Sequence, residues 1–315
     1  MTDLRKLLGI KYPIIQGGMA NIATGEFAAV ISNAGGLGLI ASGGWDAEEI
    51  CAHIRRAREL TDKPFGVNLM LMNPQADAIA EMLAHERVPV ITTGAGLPGK
   101  YIPGWKASGA LVFPVVSSVA VARRLESQGA DGVIAEGTES GGHVGETTTM
   151  ALVPQVARTV KIPVIAAGGI AGGAQMLAAL ALGACGVQIG TTLLRAVECP
   201  IHQNYKDALL RAKDNDTVVT GRSVGAPVRI LRNQMSMEYA KRERGGAQRE
   251  ELERFTLGSL RRAVFDGDVK NGSLMAGQVA GMLAEIKSAA DILREIYEEC
   301  VAVSAAIAAH PALSV

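Results

Sequence analysis

Of the five histidines in this chain, one stands in a setting suited to chemistry. His143 lies within Glu136-Gly137-Thr138-Glu139-Ser140-Gly141-Gly142-His143-Val144-Gly145, where glycines free the backbone to hold an imidazole over a ligand. There it can donate a proton or hydrogen-bond a substrate carbonyl. His53 and His85 fall in helical stretches, His202 in a charged segment and His310 in the tail. No second His, Cys or Asp stands at ligand spacing, so no metal site is expected.

Two other clusters suit an anion. Ala166-Ala167-Gly168-Gly169-Ile170 and Gln188-Ile189-Gly190-Thr191-Thr192 each close a short apolar run. Small residues there clear room for a flat ligand and expose backbone N–H groups. Loops after the seventh and eighth strands of a β/α barrel commonly build a phosphate cradle, helped by a helix N-terminus. Neither cluster is a Walker A or Rossmann fingerprint. Gly221-Arg222-Ser223-Val224-Gly225 matches the G-x-S-x-G pattern of a nucleophile elbow. An elbow needs a helix directly after it, and Pro227-Val228 continues an apolar run instead, so a turn is expected.

The elements that must position these residues follow a rhythm. Eight short apolar runs are found: 13–16, 37–40, 65–68, 88–91, 111–115, 132–135, 163–166 and 186–189. Gly and Pro punctuation marks them as strands, and helical patterns lie between them. Eight such units suit a (β/α)₈ TIM barrel, whose active site lies at the carboxyl ends of the strands. Gly35, Gly109, Gly129 and Gly183 precede runs and are placed to end helices in the left-handed conformation. Asp46 with Glu49 forms a capping-box pattern for a helix to Leu60. Ser117 or Ser118 is placed to cap the helix that runs to about Gln128. After the eighth strand, residues from about Cys199 to Gly267 are richer in charge and read as a partly helical excursion. The stretch from about Ser288 to Ala309 reads as a closing helix. The whole of 1–315 is read as a single domain.

Composition narrows the function classes. Lys+Arg and Asp+Glu balance at 31 each, which argues against broad nucleic-acid binding. Cys51, Cys185, Cys199 and Cys300 form no CxxC pair and read as free thiols in a reducing, cytoplasmic setting. The N-terminus opens with charge and lacks a signal-peptide core. From Ile162 to Leu194 no residue is charged, but glycines divide the stretch, which reads as strand, loop, buried helix and strand rather than a membrane span.

Together the motifs resemble the nitronate monooxygenase (2-nitropropane dioxygenase-like) / enoyl-reductase-II family. They are Tyr12-Pro13-Ile14-Ile15-Gln16-Gly17-Gly18-Met19-Ala20, Ala34 to Gly38, Lys63 to Asn68, Thr92 to Gly96, Ala135-Glu136-Gly137 with Gly141-Gly142-His143, Ala166 to Ile170, and Gly272 to Gln278. All seven fall in the family's order and cover nearly the whole chain. The details look most like the FMN-dependent enoyl-[acyl-carrier-protein] reductase II branch. That resemblance implies FMN at the barrel mouth, NADH or NADPH as reductant, and an acyl-carrier-protein enoyl thioester as substrate, in fatty-acid elongation. It implies that Gly18, Met19, Asn68 and Glu136 lie around the flavin ring and ribityl chain. Gly168, Gly169, Gly190 and Thr191 would hold its phosphate, and Gln188, Met275 and Gln278 would complete the pocket. Ala20, Gly141, Gly142 and Ala166 belong to the same cofactor set, and His143 matches the catalytic histidine. A homodimer and dependence on a monovalent cation are implied by the same analogy.

Two positions depart from the reductase pattern. Asn21 stands where an aromatic residue is common, and Ala226 near a usual histidine. Both bear on substrate and nicotinamide choice. Nitronate monooxygenase and NAD(P)H:quinone reductase are rival chemistries on the same barrel. A barrel that binds a phosphorylated ligand without catalysis is the rival from another class.

Overall fold

The structure, a computed structural model, describes residues 2–313. Among these, eight parallel strands form one sheet: β1 (Ile14–Gln16), β2 (Gly38–Ala41), β3 (Phe65–Met70), β4 (Val90–Gly94), β5 (Leu111–Val116), β6 (Val133–Glu136), β8 (Val164–Ala167) and β9 (Gly186–Ile189). The order is β1-β9-β8-β6-β5-β4-β3-β2, and a parallel bridge between Ile15 and Leu37 joins β1 to β2. The sheet therefore closes on itself as the expected (β/α)₈ barrel. Each of the eight apolar runs read from the sequence is one of its strands.

The strands are buried on both faces, which is why they read as continuous apolar runs. Ile15, Leu37, Leu39, Val90, Phe113, Ile134 and Ile165 fill the interior. Leu4 and Leu8 of the first helix, Leu4–Leu8, belong to the same cluster and plug its amino end. A Cβ on Gly186 would come within 2.4 Å of Leu4, so glycine permits that plug. The outer faces of the strands pack against helices Gly25–Asn33, Ala47–Leu60, Ala76–His85, Ile102–Ala107, Val119–Ser127, Thr149–Ala157 and Gly173–Ala181. The closing helix, Ala289–Ala308, lies against Gly173–Ala181, where a Cβ on Gly173 would meet the Cys300 backbone.

Local signals act as expected. Asp46 and Glu49 form the reciprocal capping box, Ser118 caps Val119–Ser127, and Gly35, Gly109, Gly129 and Gly183 all take positive φ. The uncharged stretch from Ile162 resolves into β8, a helix, β9 and a 3₁₀ turn at Thr191–Arg195. No helix of the described residues is long and apolar enough to cross a membrane. The four cysteines are free thiols.

The excursion after β9 is partly helical, with helices Gln203–Leu210, Gln234–Arg244 and Arg249–Thr256. It also holds a hairpin that the sequence did not announce. Strands β10 (Thr217–Thr220) and β11 (Val228–Leu231) pair antiparallel, and Gly221 to Gly225 make the turn between them. The G-x-S-x-G pattern is thus a hairpin turn and opens no helix. β11 also pairs with β7 (Gly142–His143), a two-residue strand in what the sequence read as a glycine-rich loop. The excursion folds back onto the barrel mouth.

Candidate active site

The carboxyl ends of the barrel strands open into a cavity of about 930 Å³. It brings together His143, Gly18, Met19, Ala20, Asn68, Glu136, Gly141, Gly142, Gly168, Gly169, Gln188, Gly190, Thr191 and Met275. Two residues of the expected cofactor set are not on its wall. Side chains alternate along a strand, so Ala166 faces the helices and it is Ala167 that meets the cavity. Gln278 turns its side chain to solvent, and its N–H donates to the Glu139 carbonyl at 2.9 Å. Its neighbours Gly277 and Val279 line the cavity instead.

The wall at β8 and β9 is backbone. Gly168 and Gly169 take φ of 88° and 74°, the left-handed region that side chains rarely adopt. A Cβ on Gly168 would sit 2.7 Å from the Gly137 carbonyl oxygen. Among the described residues the N–H groups of Gly168, Gly169 and Gly190 have no protein acceptor, so they are available to an anion. At the helix that follows β8, the first N–H is already bonded. The Glu299 carboxylate accepts from Gly173 N–H at 2.6 Å. Thr191 is also occupied in part, its Oγ1 accepting from Gly277 N–H at 2.8 Å.

Asn68, 8 % exposed, donates from Nδ2 to Thr92 Oγ1 at 2.8 Å. A Cβ on Gly18 would collide with it at 2.3 Å, so that glycine lets the first loop cross the end of β3. Gln188 is 6 % exposed, and its Oε1 is buried with no hydrogen-bond donor. A buried acceptor left unpaired is costly, and one on a cavity wall marks where a ligand donor fits.

Glu136 lies at the end of β6 with no basic partner. Burial pushes its carboxyl up to about 7, and nearby Ser140 opposes this slightly. Ser140 Oγ makes no hydrogen bond, and burial is the dominant cause. His143 stands on the rim with its ring open to solvent, yet enough protein surrounds it for desolvation to lower its pKa. Desolvation is the only cause of this lowering, with no charged or hydrogen-bonding neighbour acting on the ring. Its backbone is held by the start of β11: Val228 pairs with it, and Val144 N–H donates to the Pro227 carbonyl at 3.2 Å.

Other wall residues escaped the sequence reading. Glu139 accepts from Thr149 N–H and Oγ1, which fixes the start of helix Thr149–Ala157 beneath the His143 loop. Gly277 and Val279 cross behind it, where a Cβ on Gly141 would meet the Ala276 backbone at 2.7 Å. Leu257 and Leu260 reach the mouth from the charged excursion. Leu257 is 78 % exposed, an apolar side chain held in water at the cavity edge. Glu139 stood beside a recognised motif, but nothing local marked the two leucines.

A closed parallel barrel whose strand ends open into a cavity lined by a histidine and by backbone N–H groups free for an anion has the architecture of a barrel enzyme. The chain matches the model of the nitronate monooxygenase family over residues 1–86 and 75–299, and it belongs to that family of oxidoreductases. Its structure is similar to that of FabK from Thermotoga maritima, with a TM-score of 0.95 and 46% identity over 98% of each chain. It is 32% identical, over 94% of each chain, to a (3aS,4S,5R,7aS)-5-hydroxy-7a-methyl-1-oxo-octahydro-1H-indene-4-carboxyl-CoA dehydrogenase of Mycobacterium tuberculosis. It is 36% identical to a probable nitronate monooxygenase of Staphylococcus saprophyticus, covering 74% of this chain and 79% of that one.

Proposed function

We propose that this protein is an FMN-dependent enoyl-thioester reductase, using NADH or NADPH to reduce a trans-2-enoyl group carried on acyl carrier protein. The observation that carries the reading is the likeness to FabK over essentially both whole chains. The Mycobacterium tuberculosis relative is named for a carboxyl-CoA, which is also a thioester.

The cavity fits the cofactor. Gly168, Gly169 and Gly190 offer free N–H groups to a phosphate, and the unpartnered Gln188 Oε1 suits a ring N–H. Gly18, Met19, Ala20 and Asn68 supply a flat wall of small and polar groups between them. When bound, FMN supplies hydride transfer between a nicotinamide and the substrate. The protein's part is orientation and charge. Reduction of an enoyl thioester builds negative charge on the thioester oxygen, and a donor held nearby stabilises it. His143, neutral at pH 7 by its lowered pKa, donates that hydrogen bond through its ring N–H. Glu136, with a pKa of about 7, is part protonated and so lessens the repulsion a second buried anion would cause. Leu97, Val115, Val121 and Val144 make the opposite wall apolar, which limits water and strengthens the hydrogen bond.

The test follows anaerobic NADH and NADPH oxidation by the yellow protein with and without a crotonyl thioester. Oxidation that needs the thioester supports the reductase. A flavin that neither nicotinamide reduces, with aerobic turnover of a nitronate, moves the assignment to nitronate oxidation, the reading that the Staphylococcus relative favours.

A further inference from the structure

We infer that Arg229 is a positioning residue for His143, and that the β10–β11 hairpin exists at the barrel mouth to present it. The inference rests on the active-site reading above for its functional consequence, but its geometry stands alone.

Arg229 is 6 % exposed and has no carboxylate within ion-pair distance among the described residues. Burial lowers its pKa, Arg222 adds to this, and the Glu139 carboxylate opposes it only from beyond ion-pair distance, so its hydrogen bonds must offset the cost. Nε and Nη2 both donate to the carbonyl of Thr138, at 3.1 and 3.0 Å. Nη1 donates to Thr217 Oγ1 at 3.1 Å. One planar fork therefore ties β10 to the stretch between Glu136 and His143. The backbone of the same residue pairs with Gly142, next to His143. Arg229 thus holds the loop at two places: at Thr138, before the loop turns, and at Gly142, where it ends.

The loop needs such support from outside itself. Its other anchors are Gly137 N–H on the Ala167 carbonyl and Thr138 N–H on the Thr147 carbonyl, both at 2.9 Å, Glu139 held by Thr149 and by Gln278 N–H, and Val144 N–H on the Pro227 carbonyl. Gly137, Gly141, Gly142 and Gly145 give its backbone little stiffness of its own. The imidazole ring has no protein partner to orient it, so its position follows the backbone that carries it. Lysine cannot replace the fork, because a single ammonium on a flexible stem does not reproduce a two-point planar grip on one carbonyl together with a third bond to Thr217.

The experiment uses the flavin-loaded protein and three variants: Arg229→Lys, Arg229→Ala and Thr217→Val. Amide hydrogen exchange is read by mass spectrometry over residues 137–145, alongside thermal midpoint, flavin content and thioester turnover. We expect Arg229→Lys to keep fold and flavin while exchange over 137–145 speeds up at least tenfold. We expect its kcat to fall on the order of 10–100-fold with little change in KM, the cost of misplacing a catalytic group by about 1 Å. Guanidinium at non-denaturing millimolar concentration should restore part of the turnover of Arg229→Ala. Thr217→Val should show the same pattern, weaker. Unchanged exchange at 137–145 in the folded Arg229→Lys protein overturns the inference, as does a loss of turnover that tracks global stability alone. If the wild-type protein itself turns over no thioester, the function proposal fails, and the exchange measurement still decides the role of Arg229.

Discussion

The two walls of the cavity draw their support from different distances along the chain. At the cradle, the glycines that offer free N–H groups are also the glycines that let the chain turn. Gly168 and Gly169 follow β8 directly, and Gly190 follows β9. At the opposite wall, His143 sits in a glycine-rich segment after β6, and what fixes it arrives later: β11, Arg229 and the Gly277 crossing. A ligand cradle made of backbone can be specified locally, because turn geometry and free N–H groups come together. A catalytic side chain must be aimed to a fraction of an ångström, and a glycine-rich segment does that only when another element braces it.

The largest separation between the walls should come from His143→Ala. It removes the donor and leaves the cradle untouched, so thioester turnover should fall about 10²–10⁴-fold while the flavin stays bound. Absorbance for the flavin and steady-state turnover read the two walls independently. Full turnover by the yellow variant would end the case for His143.

Gly168→Ala attacks the other wall. Its φ of 88° and the 2.7 Å approach of a Cβ to the Gly137 oxygen both resist a side chain. The strain costs about 1–3 kcal/mol, so flavin affinity should drop about tenfold or more. Flavin release under dilution and the thermal midpoint check it. An unchanged midpoint with unchanged retention would mean that the cradle tolerates a methyl group and is not tightly built.

Between the walls, Glu136 gives a pH signature. Its pKa in the folded protein, about 7, is above the ordinary 4.5, so between those values the folded state binds more protons than the unfolded state. Stability of the flavin-free protein should therefore fall as pH rises from about 4.5 to about 7, by on the order of 1–3 kcal/mol, and level off above. Urea midpoints at stepped pH measure the slope, and Glu136→Gln should flatten it. A slope that survives the substitution assigns the titration elsewhere.

The same contrast explains what could be seen in the sequence. The barrel was legible because each βα unit repeats its own signals: a run such as Pro163 to Ala166, glycine after it, and a left-handed glycine such as Gly183 before the next. The cradle residues and His143 were legible as motifs. On β8, whose faces alternate by one residue, Ala166 faces the helices and Ala167 lines the cavity, a distinction that the motif does not carry. Gln278, placed in the pocket by its motif, is exposed, and its backbone N–H holds the Glu139 carbonyl. The hairpin and Arg229 were hidden. Thr217 to Thr220 is short and lies among charges, and no local pattern says that Val228 will pair with His143. Leu257 was hidden for the same reason, since its place at the mouth depends on the fold of the whole excursion.

The smallest expected effect asks whether the hairpin acts through its root or its tip. Arg229 is at the root, whereas Ser223 is in the turn, exposed and hydrogen-bonded through Oγ to Glu243 at 2.6 Å. Arg222 beside it pairs with Glu146, so the tip also touches the segment after His143. If presentation of His143 depends on Arg229, Ser223→Ala should leave turnover and flavin content unchanged and cost less than about 1 kcal/mol, as exposed polar substitutions usually do. It should equally leave the protein without esterase activity to lose, because the turn after Gly225 leads into β11 and not into the helix that a nucleophile elbow requires. Turnover and chemical denaturation of the single variant settle both points. A large loss of thioester turnover would move the brace from the root of the hairpin to its tip, and a loss of ester hydrolysis would restore Ser223 as a nucleophile.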